Sequence, residues 1–234
     1  VRALGCIKPP DRDHIAKYPA TAAPGGLPVD RPVVVGFNWY PAFDEPYEDN
    51  GIWRVRGPSA EEAPRGGHCF CFKPPQMVDP EAWWIFYDQG EEGACVGFGN
   101  ARALSLDEHR TYNAFRLYDA ARREEGTYPE GEGSTVREGM AALLHRGAAP
   151  EIGEHAHRGE HEPDERPQQK INAYRWITDT TQLARVLGLP EGASTATFLN
   201  SWGKSDYPHE TQMDLETFDR LLGEEGEAGV FTVG

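Results

Sequence analysis

Asp88 to Phe98, DQGEEGACVGF, passes from a polar, glycine-punctuated approach into an apolar run that begins at Cys95. From there ACVGFGNARALSLDEHRTYNAFRLYDAARR spaces its apolar residues at helical intervals, which predicts one long helix or two with a break near SLDE. Cys95 then stands at a helix N-terminus, where unpaired N–H groups and the positive end of the dipole stabilise a thiolate. Gly93 and Ala94 leave its approach uncluttered. Gln89, on the preceding turn, is placed to offer its side-chain amide and, with the N–H of Cys95, to hold an oxyanion. An isolated cysteine in this setting is more often a small buried hydrophobe, with the glutamine an ordinary turn residue.

Two distant stretches change that balance. GGHCFCF brings His68 into a strand directly after a glycine pair, a setting in which an imidazole is held rigidly with room for a partner. FLNSWG carries Asn200 out of another strand and follows it with Trp202. A side-chain amide oxygen that accepts from the imidazole N–H orients the ring, and an indole laid over that bond shields it from water. Alone, His68 reads as a structural histidine and NSWG as a turn.

Together, DQGEEGACVGF around Cys95, GGH at His68 and NSWG at Asn200 resemble the papain-like cysteine peptidases, particularly bacterial and phage-type members. GSTVREGMAALLHRGAAPE and PVVVGFNWY add texture like the family's later helix and the strand leading to its histidine. The resemblance implies an α+β fold of two lobes: a helical one carrying Cys95, and an antiparallel, barrel-like β lobe carrying His68 and Asn200. It implies Cys95 as nucleophile, His68 as general base and acid, Asn200 as the residue orienting the imidazole, Gln89 as oxyanion donor and Trp202 as supporting residue, with no metal and no cofactor. The expected activity is hydrolysis of peptide bonds in a peptide or protein substrate.

The family order is Cys, His, Asn, whereas here His68 precedes Cys95. The segment from Leu27 to Pro74 resembles one that ordinarily lies between ARVLGL and TATFLNSWG, so a permuted connectivity is expected. That divides the chain into an extended arm (1–26), displaced strands of the β lobe (27–74), a helical lobe (75–150) and the remainder of the β lobe (151–234). A triad is defined by geometry and not by chain order, so the relocation is compatible with catalysis if the moved strands pair within the same sheet. Two other readings stay open: a catalytically inactive papain-like scaffold or binding component of a bacterial or phage assembly, and a hydrolase or acyltransferase acting on a non-peptide amide with the same residues.

Bulk composition narrows the partners. A net charge of -15 repels phosphate backbones and anionic membrane surfaces, so neither nucleic acid nor membrane is expected. No run of about 18 apolar residues is present to span a bilayer. The oligomeric state is left open. The four cysteines, Cys6, Cys69, Cys71 and Cys95, are too few and too irregular for a disulfide scaffold, so reduced thiols and a cytoplasmic setting are expected. Cys69 and Cys71 share one face of a strand and read as packed or spare thiols. His155, His157 and His161 fall in a polar, carboxylate-rich stretch and read as a solvated loop. The rest predicts strands at RPVVVGFNWY, IWRV, INAYRW, STATFLNSWG and AGVFTV, and helices at TDTTQLARVLGL and DLETFDRLLGEEG.

Overall fold

The computed structural model describes residues 26–77, 87–151, 168–202 and 207–234. Strands β1 (Val33–Trp39), β2 (Tyr47–Asp49), β3 (Ile52–Arg54) and β4 (Gly66–Lys73) come first, followed by helices α1 (Cys95–Glu108), α2 (Ala114–Glu125) and α3 (Val136–His145). The chain then runs β5 (Ile171–Trp176), α4 (Thr180–Leu187), β6 (Thr195–Leu199), β7 (Glu210–Asp214), α5 (Leu215–Gly223) and β8 (Glu227–Val233). All eight strands join one sheet in the order β2-β3-β7-β6-β4-β1-β8-β5. The β3–β7 contact is parallel and the other neighbours run antiparallel.

The central strands are apolar on both sides because both sides are covered. With a side-chain period of two, Val34, Cys69 and Cys71 face one way and meet α1, α2 and α3 through Phe98, Leu104, Leu117 and Met140. Val33, Val35, Phe37, Phe70 and Phe72 face the other way, where Leu183 and Val186 of α4 and Phe218 and Leu221 of α5 close over them. One sheet thus serves two cores, and β4 contributes to both. Among the described residues no helix is long and apolar enough to cross a membrane.

The helical stretch after Cys95 resolves into two helices, and the break follows SLDE. His109 closes α1 in the left-handed conformation at φ 49°, and the Asn113 side chain opens α2 by accepting from the Arg116 N–H. Helix α3 begins with a reciprocal cap, in which Thr135 accepts from the Glu138 N–H and the Glu138 carboxylate accepts from the Thr135 N–H. Thr135→Ala is expected to lower unfolding stability by about 1 kcal/mol, measured by urea denaturation, since it leaves the buried Glu138 N–H without its acceptor. Equal midpoints for the two proteins would show that water or another group replaces the cap.

Strands β2 and β7 lie outside the sequence reading. The three residues of β2 are all exposed, and in β7 only Thr211 and Met213 point inward from ETQMD, so neither carries an apolar run. Most of the arm at 1–26, Cys6, and the stretch with His155, His157 and His161 lie outside the described residues.

Candidate functional site

Two absent side chains decide where Cys95 sits. Helix α1 begins CVGFG, and a Cβ built at Gly97 would lie 2.2 Å from the Ala114 carbonyl oxygen and 2.6 Å from the Tyr118 nitrogen, so α1 and α2 touch backbone to backbone. A Cβ at Gly99 would lie 2.7 Å from the Cys69 sulfur, which sets α1 directly on β4. The result is that Cys95, the first residue of α1, reaches the central strand. Its sulfur accepts a hydrogen bond from the backbone N–H of Cys69 at 3.2 Å, next to His68 in the chain. Ala94 precedes the helix without a side-chain cap, which leaves the first-turn N–H groups of α1 without capping from that residue.

His68 is fully buried on β4, opposite Phe37 of β1. Its Nε2 is 2.8 Å from Asn200 Oδ1, joining strands that are neighbours in the sheet but lie 132 residues apart in the chain. The proton on this bond is fixed by a second contact: the same Oδ1 accepts from the backbone N–H of Ser201 at 2.8 Å. A backbone N–H only donates, so that atom of Asn200 is the amide oxygen, and the imidazole must donate to it from Nε2. Nδ1 is then the nitrogen without a hydrogen in the neutral ring. Trp202 lies stacked over the imidazole with centroids 4.8 Å apart and planes at 27°. The His–Asn bond is thereby enclosed, with both residues and the indole buried.

Gln89 is also buried and held at three points. Its N–H donates to the Ser201 carbonyl at 2.9 Å, its Oε1 accepts from the Ser201 hydroxyl at 2.6 Å, and its Nε2 donates to the Glu92 carbonyl at 3.1 Å. Nε2 carries two hydrogens, so one remains after the Glu92 contact. Asp88 pairs with Trp202 through an isolated bridge, and the turn between Gln89 and Cys95 is completed by Gly90 at φ 59°. The turn that leads into α1 is thus fastened to the strand end that carries Asn200.

All five residues singled out in the sequence therefore converge: Cys95 and Gln89 from the helical side, His68, Asn200 and Trp202 from the sheet. Sequence reading passed over Trp39 and Ser201. Trp39 ends β1 across from Gly66, is wholly buried, and meets both His68 (4.9 Å, 82°) and Trp202 (5.0 Å, 77°) edge to face. The signal available was a tryptophan ending the strand just before the excursion that returns at a glycine pair.

The cysteines divide. Cys69 and Cys71 are free and buried, as expected. Burial, then the neighbouring Cys71 and Glu227, push the Cys69 thiol well above its ordinary range, and burial likewise pushes Cys71 up. Cys95 departs from the expectation of reduced thiols, because it is disulfide-bonded. The cysteine count argued against a disulfide scaffold, and that argument does not bear on one isolated bridge. Among the described residues no group of three or more His, Cys, Asp or Glu side chains is arranged to hold a metal ion.

No family model matches the chain, and no curated protein is similar to it. Among solved structures it is similar to the proform of the Amb a 11 cysteine protease, a major ragweed pollen allergen, at 14% identity and a TM-score of 0.46. The match covers 65% of this chain and 64% of that one, less than two thirds of the allergen's length.

Proposed function

We propose that the reduced chain is a papain-like cysteine peptidase in which Cys95, His68 and Asn200 act as a triad and Gln89 completes the oxyanion site. The observation that carries this reading is the enclosed His68–Asn200 hydrogen bond, whose polarity leaves Nδ1 as the working nitrogen. In this reading a thiolate at Cys95 attacks the substrate carbonyl carbon while the Cys95 N–H and the Gln89 amide hold the developing oxyanion. The His68 imidazolium passes its Nδ1 proton to the departing amine, leaving an acyl-thioester. Water attacks the thioester, His68 takes its proton, and the carboxylic acid leaves with Cys95 restored. Asn200 keeps the ring in the tautomer and orientation these steps require.

The reading includes a papain-like architecture with the 27–74 segment moved ahead of the helical lobe and with the lobe boundaries given above, of the bacterial or phage type. The sheet order supports it, since β1 and β4 pair directly with strands from the last third of the chain, β8 and β6. Peptide or protein is the proposed substrate, with no nucleic acid or membrane partner.

The test is Cys95→Ala in chain first treated with a soluble dithiol. Hydrolysis of a casein or fluorogenic peptide substrate is expected to vanish in the variant, and an iodoacetamide or epoxide reagent is expected to label Cys95 ahead of Cys69 and Cys71. Activity surviving in Cys95→Ala rules the proposal out. The disulfide at Cys95 favours one second reading, a papain-like scaffold that has lost catalysis and uses its cleft for recognition. It predicts no hydrolysis even after Cys95 is reduced.

A further inference from the structure

An imidazole that serves as acid and base has to be held against every way its ring can move, and Asn200 with Trp202 leaves one of them open. Asn200 pins a single ring atom, Nε2, at 2.8 Å. Trp202 lies nearly parallel over the ring, which stops it tipping toward the indole but lets it slide in its own plane. Phe70, two residues along β4, adds a looser, tilted contact at 6.1 Å. A ring set across that plane bars the slide. Trp39 stands in this position, at 82° to the imidazole and 77° to the Trp202 indole, with centroids 4.9 and 5.0 Å away.

Trp39 is itself held from the outside. After β1 the chain makes a 3-10 turn at Pro41–Phe43, and the next residue, Asp44, comes back to accept the indole N–H through Oδ1 at 2.8 Å. The second Asp44 oxygen, Oδ2, takes the Arg65 guanidinium. Arg65 also donates its backbone N–H to the Trp39 carbonyl at 2.8 Å, one residue before Gly66 pairs with Trp39 across the sheet. Both ends of the excursion over residues 40–65 are therefore tied at this one tryptophan. The indole is wholly buried, whereas the side chain of Arg65 is 47% exposed and that of Asp44 26%. Packing alone would bury the area of the indole, but the bond from its N–H to a carboxylate also fixes how the plane is turned.

We propose that Asp44 and Trp39 are positioning residues for His68: the carboxylate sets the plane of the indole, and the indole sets the plane of the imidazole. This rests on the peptidase reading for its effect on rate, and on the geometry alone for its effect on the ring. Neither residue gains or loses a proton in the proposed reaction. Both act through the imidazole, keeping Nε2 on Asn200 and so keeping the hydrogen on that nitrogen. Without the brace the ring slides off its acceptor, and the tautomer with the hydrogen on Nδ1 becomes populated.

The experiment compares the full chain, carrying ¹⁵N-labelled histidine, with Asp44→Ala, Asp44→Asn, Trp39→Phe and the Asp44→Ala, Trp39→Phe double variant. Nitrogen NMR at a pH where the ring is neutral reads which nitrogen bears the hydrogen, with the His68 signals identified by their loss in His68→Ala. Wild type is expected to show the Nε2–H form. In Asp44→Ala and Trp39→Phe the ratio of Nε2–H to Nδ1–H rings is expected to fall by about 10-fold, the worth of one net hydrogen bond. Asp44→Asn keeps an oxygen for the indole N–H and is expected to match wild type. The double variant is expected to match Trp39→Phe, because both changes remove the same bond. Hydrolysis is assayed alongside, under the conditions of the Cys95→Ala test, where kcat is expected to fall about 10-fold in the two single variants with KM unchanged. A lower urea midpoint in Asp44→Ala with the tautomer of wild type would make Trp39 a core residue only and overturn the proposal. A wild-type ring already divided between tautomers overturns it as well. Shifted tautomers with no hydrolysis in any of the proteins leave the brace standing and remove the peptidase reading. Unchanged tautomers with equal hydrolysis in all of them remove the brace and leave the peptidase.

Discussion

In the proposed peptidase, His68→Ala in the reduced chain is expected to lower kcat/KM for a peptide substrate by about 10²–10⁴-fold, the range that positioned general acid–base groups contribute. The loss falls mainly on kcat, because the imidazole acts on the thiol proton and the departing amine and takes no part in holding the rest of the substrate. Asn200→Ala is expected to do less, since the indole of Trp202 and the edge of Trp39 still confine the ring. It leaves Nε2 without its acceptor, however, so part of the population adopts the other tautomer. The double variant is expected to be no worse than His68→Ala alone, because a residue that acts through the imidazole has nothing to orient once the imidazole is gone. Steady-state kinetics on the four proteins, with active sites counted by a thiol-directed titrant, checks this. Full additivity would mean that Asn200 touches the reaction independently of His68.

A buried carboxylate far along α1 gives the second large effect. Asp107, near the end of the helix, has a fully buried side chain and is paired with Arg31 at 3.0 Å. Burial pushes its pKa up to about 6, with Arg31 pulling it back and Glu108 adding to the rise. Between about pH 4 and pH 6 the native state therefore keeps a proton that the unfolded chain has released. Stability from this group is present in full below pH 4 and drains away as pH climbs through 6. Asp107→Asn imitates the protonated form at every pH. Relative to wild type, the variant is expected to gain about 3 kcal/mol between pH 3 and pH 7, from roughly two pKa units at 1.36 kcal/mol each. Urea titrations at a series of pH values read this as two curves that diverge through that window. Curves that stay parallel would place the Asp107 carboxyl in contact with water.

How much of this was legible beforehand depended on the distance over which each feature is decided. Local signals carried the strands at VVVGFNW and INAYRW and the helix at TDTTQLARVLGL, because β-branched runs and a capping side chain such as Asp179 act on their own neighbours. The β7 segment ETQMD was passed over because its charged and polar residues hide a two-residue alternation that only burial reveals. His68, Asn200, Trp202 and Gln89 were legible as residue types in suitable settings, but their meeting depends on β4 lying between β6 and β1, a matter of strand order that no short stretch encodes. Ser201 and Trp39 escaped for the same reason: each matters through a partner distant in the chain. The disulfide at Cys95 was not legible because counting cysteines tests for scaffolds and says nothing of one isolated bridge.

The placing of β1 has a consequence for how the molecule is made. This first of the described strands lies inside the sheet, with β8, the last of them, against one of its edges and β4 against the other. On the ribosome, β1 and β4 emerge close together and find each other, but β8, the strand for β1's other edge, follows only after all the described helices. Until then an apolar ribbon with an unpaired backbone edge waits in the nascent chain, and long-range pairings of this kind close slowly. His68 meets Asn200 only after the 132-residue span between them has been made, so a chain stopped short of that point lacks the oriented imidazole.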